Sequence, residues 1–397
     1  KFQSMKQLFF LLTICTLTTL SATSQNWPSW RGQNNTGAVL KGNPPVEFSE
    51  TENLKWKTPI PGKGHATPIV WENQIILLTA VATEEKVASE EKASEDEGGM
   101  GRRAMSPNST DFIHDFKVIS VNRTDGKILW ETTVTKETPE ERTHKLGSWA
   151  SNSPVTDGEN IYAYFGSRGL FCLDLAGKVL WSRDFGQMEK RMSFGEGSTA
   201  SVHGNMVFVQ WDHEGQSALY ALDKKTGKDV WTIERDEITS WSSPLVVEVN
   251  GTLQVITSAT SNITGYDFET GEVIWTSTGM TANVIPNPVY GNGILYLMSG
   301  FRGNAIQAID LNKAKGEVYG TDVILWEYNE DAPYTPCPVL MNDLIYFHRT
   351  NHGFLTCLDA KTGEVVYSKE KLEGISDLYS SPTGAKDKIY IASEGIV

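Results

Sequence analysis

The sequence predicts an all-β fold, a β-propeller of four-stranded antiparallel blades. Three observations carry that reading: a turn phrase that ends in an aromatic anchor, the even spacing of its copies, and a second phrase that opens each copy. The turn phrase is clearest from Asp223 through Thr226 and Gly227 to Trp231. Further copies end at Trp130, Trp181, Trp275 and Tyr367 after Gly126, Gly177, Gly271 and Gly363, and a looser copy with an inserted loop ends at Trp326. Successive anchors lie 41 to 51 residues apart, the length of one four-stranded blade.

The turn phrase belongs between the third and fourth strands, where Gly takes a positive φ and the Asp and Thr side chains satisfy turn amides. Its Trp is then a structural wedge between neighbouring blades. The opening phrase sets the inner strands: Ser153-Pro154, Ser243-Pro244, Asn287-Pro288 and Cys337-Pro338 each precede a short apolar run, a hairpin turn and a second apolar run.

Taken from the start, residues 1–24 read as a secretory leader: Met5 and Lys6, an apolar stretch from Leu8 to Leu20, then small polar residues. The mature chain, from residue 25, is expected to be a single exported propeller, periplasmic or secreted, with no transmembrane segment. A lipid anchor at Cys15 is disfavoured by the bulky Ile14 before it. Trp56 looks like a fourth-strand anchor with no strands ahead of it, and residues 379–392 begin a blade that is not finished, so the N-terminal strand is expected to join the C-terminal strands and remove sheet edges. The chain starts ahead of Met5 and stops within an apparent strand, and so reads as a fragment. Residues 84–111, rich in Glu, Ser, Gly and Ala, separate strands at 75–79 and 116–121 and are expected to be a disordered acidic insertion.

Composition narrows the function. The net charge is −14 over 397 residues, which repels phosphate backbones and excludes nucleic acid as a natural partner. Cys172, Cys337 and Cys357 remain after the leader, an odd number with no adjacent pair, so no disulfide framework is expected. No metal-binding, nucleophile-elbow or phosphate-loop motif is present, and no structural zinc is expected; His348 and His352 are four apart, but in a strand and hairpin rather than on a helix.

The Asp223–Trp231 phrase resembles the tryptophan-docking repeat of the pyrroloquinoline quinone (PQQ) family, shared by quinoprotein alcohol dehydrogenases and by the non-catalytic propeller scaffold of the outer-membrane barrel-assembly machinery. The opening Trp27, Pro28, Trp30, Arg31 and Gly32, with Trp56 and the Gly64-His65 stretch, is similar to exported PQQ-like repeat proteins. The resemblance implies eight blades, with seven as the alternative. In the enzymes it implies a quinone stacked on a vicinal disulfide and a calcium ion held by Glu, Asn and Asp; Glu196 and Asn283 in this sequence read as loop hydrogen-bonders instead.

Blade topology gathers one set of loops on one face. His65, Trp149, Trp241 and Tyr334 fall just ahead of first strands, while Arg168, Asp212, His213, Arg302, Arg349 and His352 fall between second and third strands. These are the candidate binding-face residues, since aromatic and basic side chains around a central mouth suit recognition. No catalytic residue and no metal ligand is assigned. The expected function is a monomeric, non-catalytic scaffold that binds a protein or extended ligand without a cofactor; the alternative is a PQQ- and calcium-dependent alcohol or sugar dehydrogenase.

Overall fold

The computed structural model describes residues 25–86, 110–144, 146–349, 353–375 and 378–393. The expected leader, most of the expected insertion and His352 lie outside the described residues. Within them the chain is a β-propeller. Blade I comprises Ile69–Trp71, Gln74–Lys86, Phe112–Asn122 and Ile128–Glu137; blade II Val155–Thr156, Asn160–Tyr164, Leu170–Asp174 and Val179–Arg183. Blade III comprises Ser201–His203, Met206–Trp211, Ser217–Asp223 and Asp229–Arg235; blade IV Leu245–Val249, Thr252–Ser258, Ile263–Asp267 and Val273–Ser277. Blade V comprises Val289–Gly291, Ile294–Ser299, Ala305–Asp310 and Ile324–Tyr328; blade VI Val339–Met341, Leu344–Arg349, Phe354–Asp359 and Val365–Lys371. Thr383–Ala385 and Lys388–Tyr390 form a further sheet with the N-terminal strand Ala38–Val39, which pairs in parallel with Thr383–Ala385.

The core lies between blades. One buried cluster joins Ile76 and Phe116 of blade I to Ile161 of blade II, and another joins Phe208 of blade III to Val255 and Tyr266 of blade IV. The turn phrase explains how neighbours lock. Asp223 accepts from the backbone and hydroxyl of Thr226, and the indole of Trp181, one blade earlier, donates to the Lys224 carbonyl at 3.0 Å. Gly227 has φ +69, and a Cβ there would meet the Trp181 ring at 2.6 Å, so the position needs Gly for both its backbone and its neighbour. Trp56, Trp130, Trp231 and Trp326 dock in the same way on the carbonyls of Arg123, Leu175, Phe268 and Ala360.

Two anchors depart from the repeat. Trp275 donates instead to Gln254 of its own blade and covers Gly265, because the loop inserted before Trp326 lays the short strand Gly316–Glu317 alongside Val273–Ser277. Tyr367, at the end of blade VI, carries a phenol rather than an indole and is half-buried. The insertion boundary also moves. Strands expected at 75–79 and 116–121 extend to Gln74–Lys86 and Phe112–Asn122, with Lys86 opposite Phe112, so residues 84–86 belong to the blade rather than to a disordered segment. The extension is held by a Lys136–Glu85 ion pair and by the Lys86 ammonium over the Phe112 ring.

The opening phrase does more than start a strand. The backbone N–H of Thr67 donates to the Ser153 hydroxyl, Ser153 to Thr199, Thr199 to Ser243, Ser243 to Asn287, Asn287 to the Cys337 sulfur and Cys337 to Ser381, all at 2.8–3.0 Å. This chain of bonds runs from blade to blade around the central channel. The thiol of Cys337 occupies the place of a hydroxyl. Cys337→Ser is therefore expected to stay within about 1 kcal/mol of the parent, whereas Cys337→Ala strands the Asn287 N–H and costs about 1–3 kcal/mol, as read by denaturant unfolding.

Residues 27–39 cross the channel. Trp27 exchanges backbone bonds with Val70 of blade I and Pro28 accepts from Thr156 of blade II, while Thr36 accepts from Leu340 of blade VI and Gly37 from Gly384. The segment thus ties the first blades to the last.

Candidate functional site

A cavity of about 1320 Å³ opens where the first strands begin. Trp27, Trp30 and Arg31 of the crossing segment form its floor, and Thr67, Ser153, Thr199, Asn287 and Ser381 of the hydrogen-bonded chain line its wall. Aromatic side chains set its mouth. The Phe301 and Tyr334 rings stack at 4.9 Å with an interplanar angle of 28°. Trp241 is fixed by its backbone N–H on Val284 and by its indole N–H on the Gly195 carbonyl at 2.8 Å.

Behind the mouth lies a charged cluster. Glu196 accepts from the Ser167 backbone and hydroxyl, and pairs with Lys190 at 2.8 Å and Arg168 at 3.4 Å. Burial opposes ionisation of Glu196, but Lys190 and Arg168 outweigh it and hold its carboxyl below the usual range. Gly166 makes the room: it has φ +62, and a Cβ there would fall 1.3 Å from the Glu196 carboxylate. Glu141 faces Lys190, and burial pushes its carboxyl up.

A second network lies deeper in blade III. Arg235 Nε donates to Asp212 at 2.8 Å, and its Nη1 donates to Thr257 and Tyr266. His213 accepts at Nδ1 from the backbone of Glu189 and Gly215 while Nε2 meets the Gln216 carbonyl, which fits a neutral ring, and burial holds its pKa below the usual value.

The residues expected on the binding face therefore divide. His65, Trp241 and Tyr334 line the cavity. Trp149 instead donates to the Glu141 carbonyl and packs edge-on against His114. Asp212 and His213 lie in the expected connections but are buried, and Arg168 is half-buried with its side chain on Glu196, because ion pairing and turn hydrogen bonds turn them inward. Arg302 is exposed, with its guanidinium over the Phe301 ring, and Arg349 is exposed near Asp331. Sequence reasoning missed Phe301, Arg31 and the role of Glu196. Only Arg31 carried a signal, in the Trp30-Arg31-Gly32 opening.

The PQQ_2 family model, described as outer membrane protein assembly factor BamB, matches residues 34–195 and 114–369. The chain belongs to this PQQ-like propeller family. A curated relative, the outer membrane protein assembly factor BamB of Francisella salina, is 28% identical over 95 residues, 24% of this chain and 16% of that protein. The match thus spans well under two thirds of that relative's length. Among solved structures, BamB from Moraxella catarrhalis aligns with a TM-score of 0.50 at 16% identity over 72% of this chain and 79% of that one. A europium-containing methanol dehydrogenase aligns with a TM-score of 0.57 at 13% identity over 93% and 89%. At these identities the likeness shows the fold alone.

Quinone enzymes of this fold raise the question of a cofactor, and the donors among the described residues are already engaged. Of the described residues lining the cavity Glu196 is the only carboxylate, and it is committed to Lys190 and Arg168. The Asn287 amide oxygen already accepts the Ser243 N–H. Cys172, Cys337 and Cys357 are separate, buried and free, so they offer no paired-sulfur platform for a flat ring.

Proposed function

We propose that this chain is an exported, non-catalytic binding or scaffolding propeller that captures a protein segment or other extended ligand through its loop face and central cavity. The observation that carries the reading is the cavity itself: it is aromatic at its mouth, and the one carboxylate among its described lining residues is neutralised by two cations, so it offers recognition surface. Membership of the family described by an assembly factor supports a scaffold. No helix among the described residues is long and apolar enough to cross a membrane.

The test uses the neutral fluorescent dye N-phenylnaphthylamine. Saturable binding is expected, and a Trp241→Ala/Tyr334→Ala variant should bind at least about tenfold more weakly with an unchanged melting profile, since each aromatic supplies about 1 kcal/mol of contact. Equal binding by both proteins would remove the cavity mouth from the account. A PQQ-dependent dehydrogenase is the other reading; the fold of the methanol dehydrogenase favours it, and the cavity's committed donors oppose it.

A further inference from the structure

We propose that the ligand of this cavity leads with an anionic oxygen group ahead of an apolar body, and that Arg31 on the cavity floor receives the anion. The inference rests on the binding reading above.

Arg31 is 3% exposed and lines the cavity. Its Nη1 and Nη2 donate to the carbonyls of Pro382 and Pro338, at 3.0 and 2.5 Å, and its Nε has no hydrogen-bond partner among the described residues. Among the described residues the titratable group that bears on it is the Cys337 thiol rather than a carboxylate. Two carbonyl dipoles satisfy donors but leave a whole positive charge, and guanidinium does not shed its proton to escape burial. A neutral amide could hold the same carbonyls without that cost.

The surroundings are shaped for the charge. Gly37, at φ +73, leaves the space that Arg31 fills, since a Cβ there would sit 1.9 Å from Nη2. Trp30 lies against the guanidinium, 5.5 Å from ring centre to Cζ. The other charged residues among the described lining are Arg123 and the already neutralised Glu196, with His65 and His144. A cationic cavity inside a chain of net charge −14 focuses attraction for an anion at one place. The aromatic mouth then covers the apolar remainder of the ligand.

The test compares N-phenylnaphthylamine with its sulfonated analogue, anilinonaphthalene sulfonate, on the full chain. The parent is expected to bind the sulfonate at least about tenfold more tightly than the neutral dye, as a charge-assisted contact in a dry site allows. Arg31→Gln should remove that preference, bringing the affinity for the sulfonate down to that for the neutral dye in the same variant. If neither dye binds, the binding reading itself fails; if both bind the parent equally, or folded Arg31→Gln keeps the preference, only the anion site is overturned. Should Arg31→Gln not fold, Arg31→Lys replaces it: a shorter, single-headed cation should cut the preference at least about threefold, and an unchanged preference overturns the assignment.

Discussion

Replacing Asp212 with Ala is expected to lower stability by about 3–5 kcal/mol in denaturant unfolding, among the largest single-residue effects in the chain. The cause is the guanidinium left behind. Arg235 is buried with Asp212 on its Nε and Nη2, and among the described residues the other carboxylate bearing on it is Glu237, which is itself occupied with the backbone of Ser261 and Asn262. Asp212 also accepts from Gln210 and Ser240, so its loss frees three sets of buried donors. An Asp212→Leu/Arg235→Met double variant, which removes both charges, should recover most of the loss. Near-additive losses in the double variant would show that the pair is not the reason.

Glu196→Gln is expected to cost a similar amount, about 3–5 kcal/mol at neutral pH, because Lys190 and Arg168 remain buried without their shared carboxylate. The pH dependence gives a second reading of the same residue. The folded-state pKa of Glu196 lies below its unfolded value, so its stabilisation is complete above the ordinary glutamate range of about 4.3 and is lost as pH falls through the lower folded value. Urea midpoints of the parent should therefore drop more steeply than those of the variant below about pH 4. Parallel profiles would place the acid sensitivity elsewhere.

Repetition decided what could be read before the structure. The Trp-anchored turn and the Pro-preceded strand recur, so their geometry is announced several times; five indoles dock on the next blade's turn as that pattern implies. The hydrogen-bonded chain from Thr67 to Ser381 uses the same opening phrase, yet its role depends on the curvature that brings each residue beside the next blade, which no single blade's sequence encodes. Single-copy features were harder. Asp212 and His213 look like polar loop residues, and only the position of Arg235, Glu189 and Gln216 shows that they point inward. Trp275 fits the repeat but loses its dock to the loop inserted one blade later. Arg31 depends on carbonyls more than 300 residues away, and Glu196 on Arg168 and Ser167 about thirty residues away as well as on Lys190 in its own loop, and periodicity carries no information on such pairings.

The most direct measurement of the central claim, that this propeller binds rather than oxidises, is a titration of the protein with PQQ and calcium, followed by tryptophan fluorescence and a dye-linked alcohol oxidation assay. The account predicts no saturable quenching at micromolar PQQ and no turnover, because the cavity's carboxylate is already held by Lys190 and Arg168. Saturable quenching accompanied by alcohol oxidation would contradict it and establish the chain as a quinone-dependent dehydrogenase.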